Sequence, residues 1–128
     1  MAHVLIVDDF PGATRLIGKM LDTQGHTFVE FTRGADVVTS LEQDYADLLI
    51  VDLNMPTMNG FELCEYVRNH SPQHDIPIIV ATASQSNADR FAAFEVGADA
   101  FITKPFTRDV LLETVDGLLN PLPVETTW

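Results

Sequence analysis

The chain has 128 residues, 46% of them hydrophobic and 20% charged, a size and composition that suit one globular domain and exclude intrinsic disorder. Seven basic side chains face nineteen acidic ones, a formal charge of −12, so nucleic acid and anionic membrane surfaces would repel the chain, whereas cations and basic partners are favoured. The lone Cys64 excludes an internal disulfide, no apolar run is long enough to span a bilayer, and the opening MAHVLIVDD lacks a basic n-region and a cleavage site, which together predict a cytosolic protein.

In chain order, Val4–Val7 is a continuous apolar run, predicted to be a strand covered on both faces. Leu16, Ile17, Met20 and Leu21 mark one face of a first helix, and Thr27–Thr32 is a more polar strand suited to a sheet edge. Val37, Val38 and Leu41 mark a second helix, Leu48–Val51 is another buried strand, and Phe61, Cys64 and Val67 mark a third helix with Cys64 facing inward as a small apolar residue. Ile76–Ala81 is a further central strand, followed by a helix over 86–96 that stops at Gly97. Asp99–Thr103 is a short edge strand, and Val110, Leu111, Thr114, Val115, Leu118 and Leu119 recur at helical spacing. Strand and helix thus alternate five times, which predicts an α/β, doubly wound parallel sheet with helices on both faces, occupying residues 1–119. Asn120–Trp128, with two prolines, reads as a short tail or the stub of a linker.

Sites in open α/β sheets form beyond the carboxyl ends of the strands, where strand order reverses. Those ends carry Asp8 and Asp9 after the first strand, Asp52 after the third, Thr82 after the fourth and Lys104 after the fifth. Three carboxylates about 5 Å apart would repel by about 3 kcal/mol per pair at an effective dielectric of about 20. Lys104 offsets one charge; a hard divalent ion would offset the rest, and so few protein carboxylates favour Mg²⁺ over Ca²⁺. A nucleophilic aspartate, a metal, a hydroxyl and an ammonium are the parts needed to hold a phosphoryl group, so phosphoryl transfer to Asp52 is the predicted chemistry.

VDDF at 7–10, DLNMPTMNG at 52–60, ATA at 81–83 and GADAFITKPF at 97–106, with their spacings, resemble the receiver domains of two-component response regulators over about residues 3–119. Within that family the chain is most similar to stand-alone chemotaxis regulators, which share VDDF, NMP and KPFT and carry no output domain. The resemblance implies the flavodoxin-like strand order 2-1-3-4-5 and a phosphorylation-activated switch that is not a turnover enzyme. Its donor would be a sensor histidine kinase or a histidine phosphotransfer domain, and its output an unidentified downstream protein. It further implies Asp52 as phosphoacceptor, Asp9 as a direct Mg²⁺ ligand, Asp8 as a ligand through water, and the Asn54 carbonyl as another. Thr82 and Lys104 would contact phosphoryl oxygens, Phe101 would turn inward as Thr82 moves, and Asn54 and Ser84 would gate the water that ends the phosphorylated state. A cis Lys104–Pro105 bond is implied as well. Arg90 and Phe94, four apart on the fourth helix, would join Phe101 in an output face of the fourth helix, fifth strand and fifth helix. Burial of Phe94 in the core is the alternative.

Two departures from the family pattern stand out. Phe101 occupies a position that is more often Tyr, and Ala100 one that is often acidic; both bear on the strength of switching rather than on phosphorylation. Two rival classes share parts of the pattern. Aspartate-based phosphatases need a second aspartate two residues beyond the nucleophile, where this chain has Asn54, which cannot exchange protons. Flavin or nucleotide modules of similar fold need a glycine- or hydroxyl-rich cradle after the first strand, where this chain has Asp8-Asp9-Phe10-Pro11. His70 and His74 stand four apart, but Ser71-Pro72 interrupts any helix that would pair them on a metal.

Overall fold

The computed structural model describes residues 1–121. Five strands and five helices alternate: β1 His3–Val7, α1 Pro11–Asp22, β2 Thr27–Phe31, α2 Gly34–Gln43, β3 Leu48–Val51, α3 Gly60–His70, β4 Ile78–Thr82, α4 Asn87–Glu95, β5 Ala100–Thr103 and α5 Arg108–Leu119. All neighbouring strands pair in parallel, in the order β2-β1-β3-β4-β5. The order reverses between β1 and β3, so the crevice of such a sheet opens beyond Val7 and Val51.

The strands differ as their composition predicts. Every residue of β3 and β4 is buried, whereas β2 at one edge is mostly exposed. Because side chains alternate along a strand, each central strand feeds two cores. Leu5, Val7, Leu49, Val51, Ile78 and Val80 pack on α2, α3 and α4 through Val37, Leu41, Leu63, Cys64 and Ala93. Val4, Ile6, Leu48, Ile50, Ile79 and Ala81 pack on α1 and α5 through Ile17, Leu21, Leu111 and Val115. Each fully buried Leu or Ile contributes roughly 1.5–3 kcal/mol, so the two layers hold the strand ends in fixed register.

Several details differ from the sequence expectation. The fourth strand runs over 78–82, not 76–81, because Pro77 has no N–H to donate and the Ile76 N–H closes a turn onto the Gln73 carbonyl at 3.1 Å. The buried stripe of α1 is Thr14, Ile17, Gly18 and Leu21, and Leu16 is exposed. Gly18 belongs to that stripe because the Phe28 ring lies only 2.4 Å from where a Cβ would stand. Val110 is likewise exposed on α5. Gly97 stops α4 at φ +107, a conformation that L side chains rarely adopt. The Lys104–Pro105 bond is cis. The expected tail, 120–128, lies outside the described residues beyond Pro121.

Candidate functional site

Pairing continues one residue past the strands at the switch point. The Asp8 N–H donates to the Phe31 carbonyl and the Asp52 N–H to the Val7 carbonyl, both at 3.1 Å, which fixes the two aspartates side by side. Asp8 and Asp52 are buried and Asp9 is exposed. One carboxylate oxygen from each of the three lies within 4.8 Å of the others, and this is the one such cluster of His, Cys, Asp or Glu among the described residues. Asp8 Oδ1 accepts the Phe10 N–H at 2.9 Å, and Asp8 Oδ2 is ion-paired with Lys104 Nζ, which stands 3.8 Å from Asp52 Oδ2. The lysine arrives there because its own N–H donates to the Thr82 carbonyl at 2.8 Å, extending the β4–β5 ladder. Thr82 is fully buried at the end of β4.

Asp52 Oδ1 is buried and has no hydrogen-bond partner. A buried carboxylate oxygen without a donor costs about 1–3 kcal/mol or more, so this atom is poised for a group that arrives from outside. Burial accordingly pushes the Asp52 carboxyl above its ordinary 3.8. The Lys104 ammonium opposes that rise, the Asp8 charge adds to it, and the nearby Thr82 hydroxyl and Asn54 N–H, outside hydrogen-bond geometry, lower it. Three carboxylates against one ammonium, with an unpartnered buried oxygen, form a donor set of hard oxygens that fits a small divalent cation.

The loop after Asp52 returns tightly to the sheet. The Gly60 N–H donates to the Leu53 carbonyl at 3.0 Å, and a Cβ on Gly60 would lie 2.4 Å from the Asp52 carbonyl oxygen. Only glycine lets α3 begin there. Its first turn is closed by a reciprocal capping box between Asn59 and Glu62. Asn54, in the same loop, is exposed.

On the other side of the site, the Phe101 ring is already buried among the β4, α3 and α4 side chains, so the inward position expected only of the switched state is occupied here. Arg90 lies over it, with the guanidinium carbon 5.7 Å from both the Phe94 and Phe101 ring centroids. Phe94 is 41% exposed, which places it on the surface rather than in the core. Ser84 follows Thr82 in the β4–α4 loop and donates its hydroxyl to Asp89, a residue that no expectation from the sequence had singled out. The signal was present as Ser86-x-x-Asp89 ahead of a helix. Cys64 is buried, its thiol pushed up to about 12, as an inert apolar filler requires. His70 stacks on Tyr66 with centroids 4.8 Å apart while His74 contacts Asp75, so the two histidines do not converge.

A parallel 2-1-3-4-5 sheet with an acidic cluster and a lysine at its switch point defines a class of phosphoryl-accepting domains. Residues 4–116 match the response regulator receiver domain family, and the chain belongs to it. Among curated relatives, the transcriptional regulatory protein GlrR of Escherichia coli is 36% identical over 119 residues, covering 93% of this chain but 26% of its own length. Protein PilH of Pseudomonas aeruginosa is 31% identical over 119 residues, covering 93% of this chain and 98% of its own. The chain therefore spans a quarter of one relative and nearly all of another. Among solved structures, Vibrio cholerae chemotaxis protein CheY4 superposes with a TM-score of 0.86 at 31% identity, covering 93% and 99% of the two chains. The signal receiver domain of a Syntrophus aciditrophicus histidine kinase does so at 0.85 and 31%, covering 99% and 98%. The chain is a receiver domain of two-component signalling, a family of signalling switches phosphorylated on aspartate. No described helix is long and apolar enough to cross a membrane.

Proposed function

We propose that Asp52 is the phosphoacceptor and that the receiver domain occupies residues 1–119. The observation that carries the assignment is the buried, unpartnered Asp52 Oδ1 between the acidic pair and Lys104. In the reaction an Asp52 carboxylate oxygen attacks phosphorus, the bond from phosphorus to the donor's imidazole nitrogen breaks, and the electron pair leaves with the imidazole, whose other ring nitrogen carries the proton that makes it a neutral leaving group. Lys104 turns from Asp8 toward a phosphoryl oxygen, and the Thr82 hydroxyl donates to another. Asp8, Asp9, Asp52 and the Asn54 carbonyl would hold Mg²⁺, which supplies positive charge against the phosphoryl oxygens. Asn54 and Ser84 flank the route of the water that ends the phosphorylated state. Asn54 also cannot exchange a proton as the second aspartate of a hydrolytic enzyme does at that position, which favours a switch over a turnover phosphatase.

The donor is a sensor histidine kinase or a histidine phosphotransfer domain in the cytosol. The output is a protein that reads the face formed by Arg90, Phe94 and Phe101. With a charge of −12, neither nucleic acid nor an anionic membrane is a suitable partner for this domain. Incubation with acetyl phosphate and Mg²⁺, followed by intact mass, should give a single phosphoryl adduct that Asp52→Asn abolishes. An adduct that persists in Asp52→Asn overturns the assignment.

A further inference from the structure

The two acidic residues that occupy the third position of α3 and α4 are used differently. In α3, Glu62 reaches back to its N-cap: its Oε1 accepts the Asn59 N–H at 3.0 Å while Asn59 Oδ1 accepts the Glu62 N–H at 2.9 Å. In α4 the N-cap Ser86 accepts the Asp89 N–H at 3.2 Å, but the carboxylate of Asp89, one methylene shorter, does not return to the Ser86 N–H. The Ser84 hydroxyl stands between them. It accepts the Ser86 N–H at 3.3 Å and donates its proton to Asp89 Oδ2 at 2.6 Å, the length of a strong charge-assisted bond. The Ser84 N–H in turn donates to Thr82 Oγ1 at 3.3 Å. A chain of contacts thus runs from the hydroxyl beside Asp52, through Ser84, into the first turn of α4.

A serine hydroxyl has one proton and two lone pairs. With its proton committed to Asp89 and one lone pair taken by Ser86, Ser84 Oγ keeps a single free function, as an acceptor. We propose that Asp89 is a positioning residue for dephosphorylation: it holds Ser84 Oγ as a fixed acceptor that orients the attacking water. This rests on the reading of Asp52 as phosphoacceptor and of Ser84 as flanking the water's route. In the hydrolysis the water oxygen bonds to phosphorus, the bond from phosphorus to the Asp52 oxygen breaks, and the electron pair restores the Asp52 carboxylate. Both water hydrogens leave on dihydrogen phosphate, so Ser84 accepts a hydrogen bond and takes no proton. Without Asp89 the hydroxyl rotates, donates to other acceptors in the site, and no longer orders the water.

The test compares the decay of the phosphorylated full chain, formed with acetyl phosphate and Mg²⁺ and followed by intact mass after the donor is removed. Losing one positioned hydrogen bond should slow decay roughly two- to tenfold in Asp89→Ala and Ser84→Ala, with no additional slowing in the double variant. Asp89→Asn keeps an acceptor oxygen and should decay as the parent does. Asp89→Glu is the discriminating variant: like Glu62 it can cap the helix directly, so thermal stability holds while Ser84 is released and decay slows. Parental decay in both Asp89→Ala and Asp89→Glu overturns the proposal. So does slowing confined to Asp89→Ala, which would mark a helix cap alone. A parent chain that forms no adduct overturns the reading of Asp52 itself and this inference with it, an outcome distinct from an adduct whose decay ignores residue 89.

Discussion

Replacing Asp52 by asparagine should stabilise the fold at neutral pH, because the charge at this position is held against its own energetics. Lys104 Nζ, 3.8 Å from Asp52 Oδ2, attracts it by about 4 kcal/mol at an effective dielectric of about 20. The oxygen of Asp8 within 4.8 Å repels it by about 3 kcal/mol on the same footing, and the exposed Asp9 adds a smaller, screened repulsion. The pair terms therefore nearly cancel, and the desolvation of the unpartnered Oδ1 remains, about 1–3 kcal/mol. The Asp52→Asn change puts a neutral amide where a charge was buried, which costs less to desolvate, and for a chain of this size the melting temperature should rise by about 3–10 °C at pH 7. The folded carboxyl binds its proton more tightly than the unfolded one, so the penalty is full above the raised folded value. It fades as pH falls through that value and is gone below 3.8. Thermal melts of both proteins from pH 8 to pH 4 measure the difference, and Mg²⁺ should shrink it by stabilising the parent more. A variant no more stable than the parent at pH 7, or a gain unchanged at pH 4, would refute the electrostatic account.

Asp9→Ala should weaken Mg²⁺ binding and slow phosphorylation by acetyl phosphate by about 10- to 100-fold, read by calorimetric metal titration and by intact mass; unaltered affinity would remove Asp9 from the ligand set. Ser84→Leu should lengthen the lifetime of the adduct by closing the water route, and an unchanged decay rate would count against that gate. Gly60→Ala should lower stability by about 1–3 kcal/mol in denaturant titration, since its Cβ meets the Asp52 carbonyl at 2.4 Å, backbone that cannot move aside. Hydrogen exchange with a phosphoryl mimic bound should change within residues 85–106; if that segment is unaltered while Asp52 is fully modified, the output face lies elsewhere.

The strand and helix order, the parallel doubly wound sheet and the aspartates, threonine and lysine at the strand ends were all legible in the sequence. Continuous Val- and Ile-rich runs occur where a strand is covered on both faces, and polar residues at their carboxyl ends cluster where such a sheet opens. These are local signals, carried by neighbours in the chain. What the tertiary structure decided are relations between residues far apart in sequence. Leu16 and Val110 match a helical period yet face solvent, because the neighbouring layer, not the period, selects which stripe is covered. Lys104 pairs more closely with Asp8 than with Asp52 in this state, an outcome set by where the β4–β5 ladder delivers its backbone. Phe101 is already inside with Arg90 over its ring, and Phe94 is outside. Composition specifies neither side, since both positions are aromatic near an edge strand. The Ser84–Asp89 bond depends on a side chain one methylene too short to reach its own N-cap. Sequence records that length, but only the folded loop supplies the hydroxyl that fills the gap.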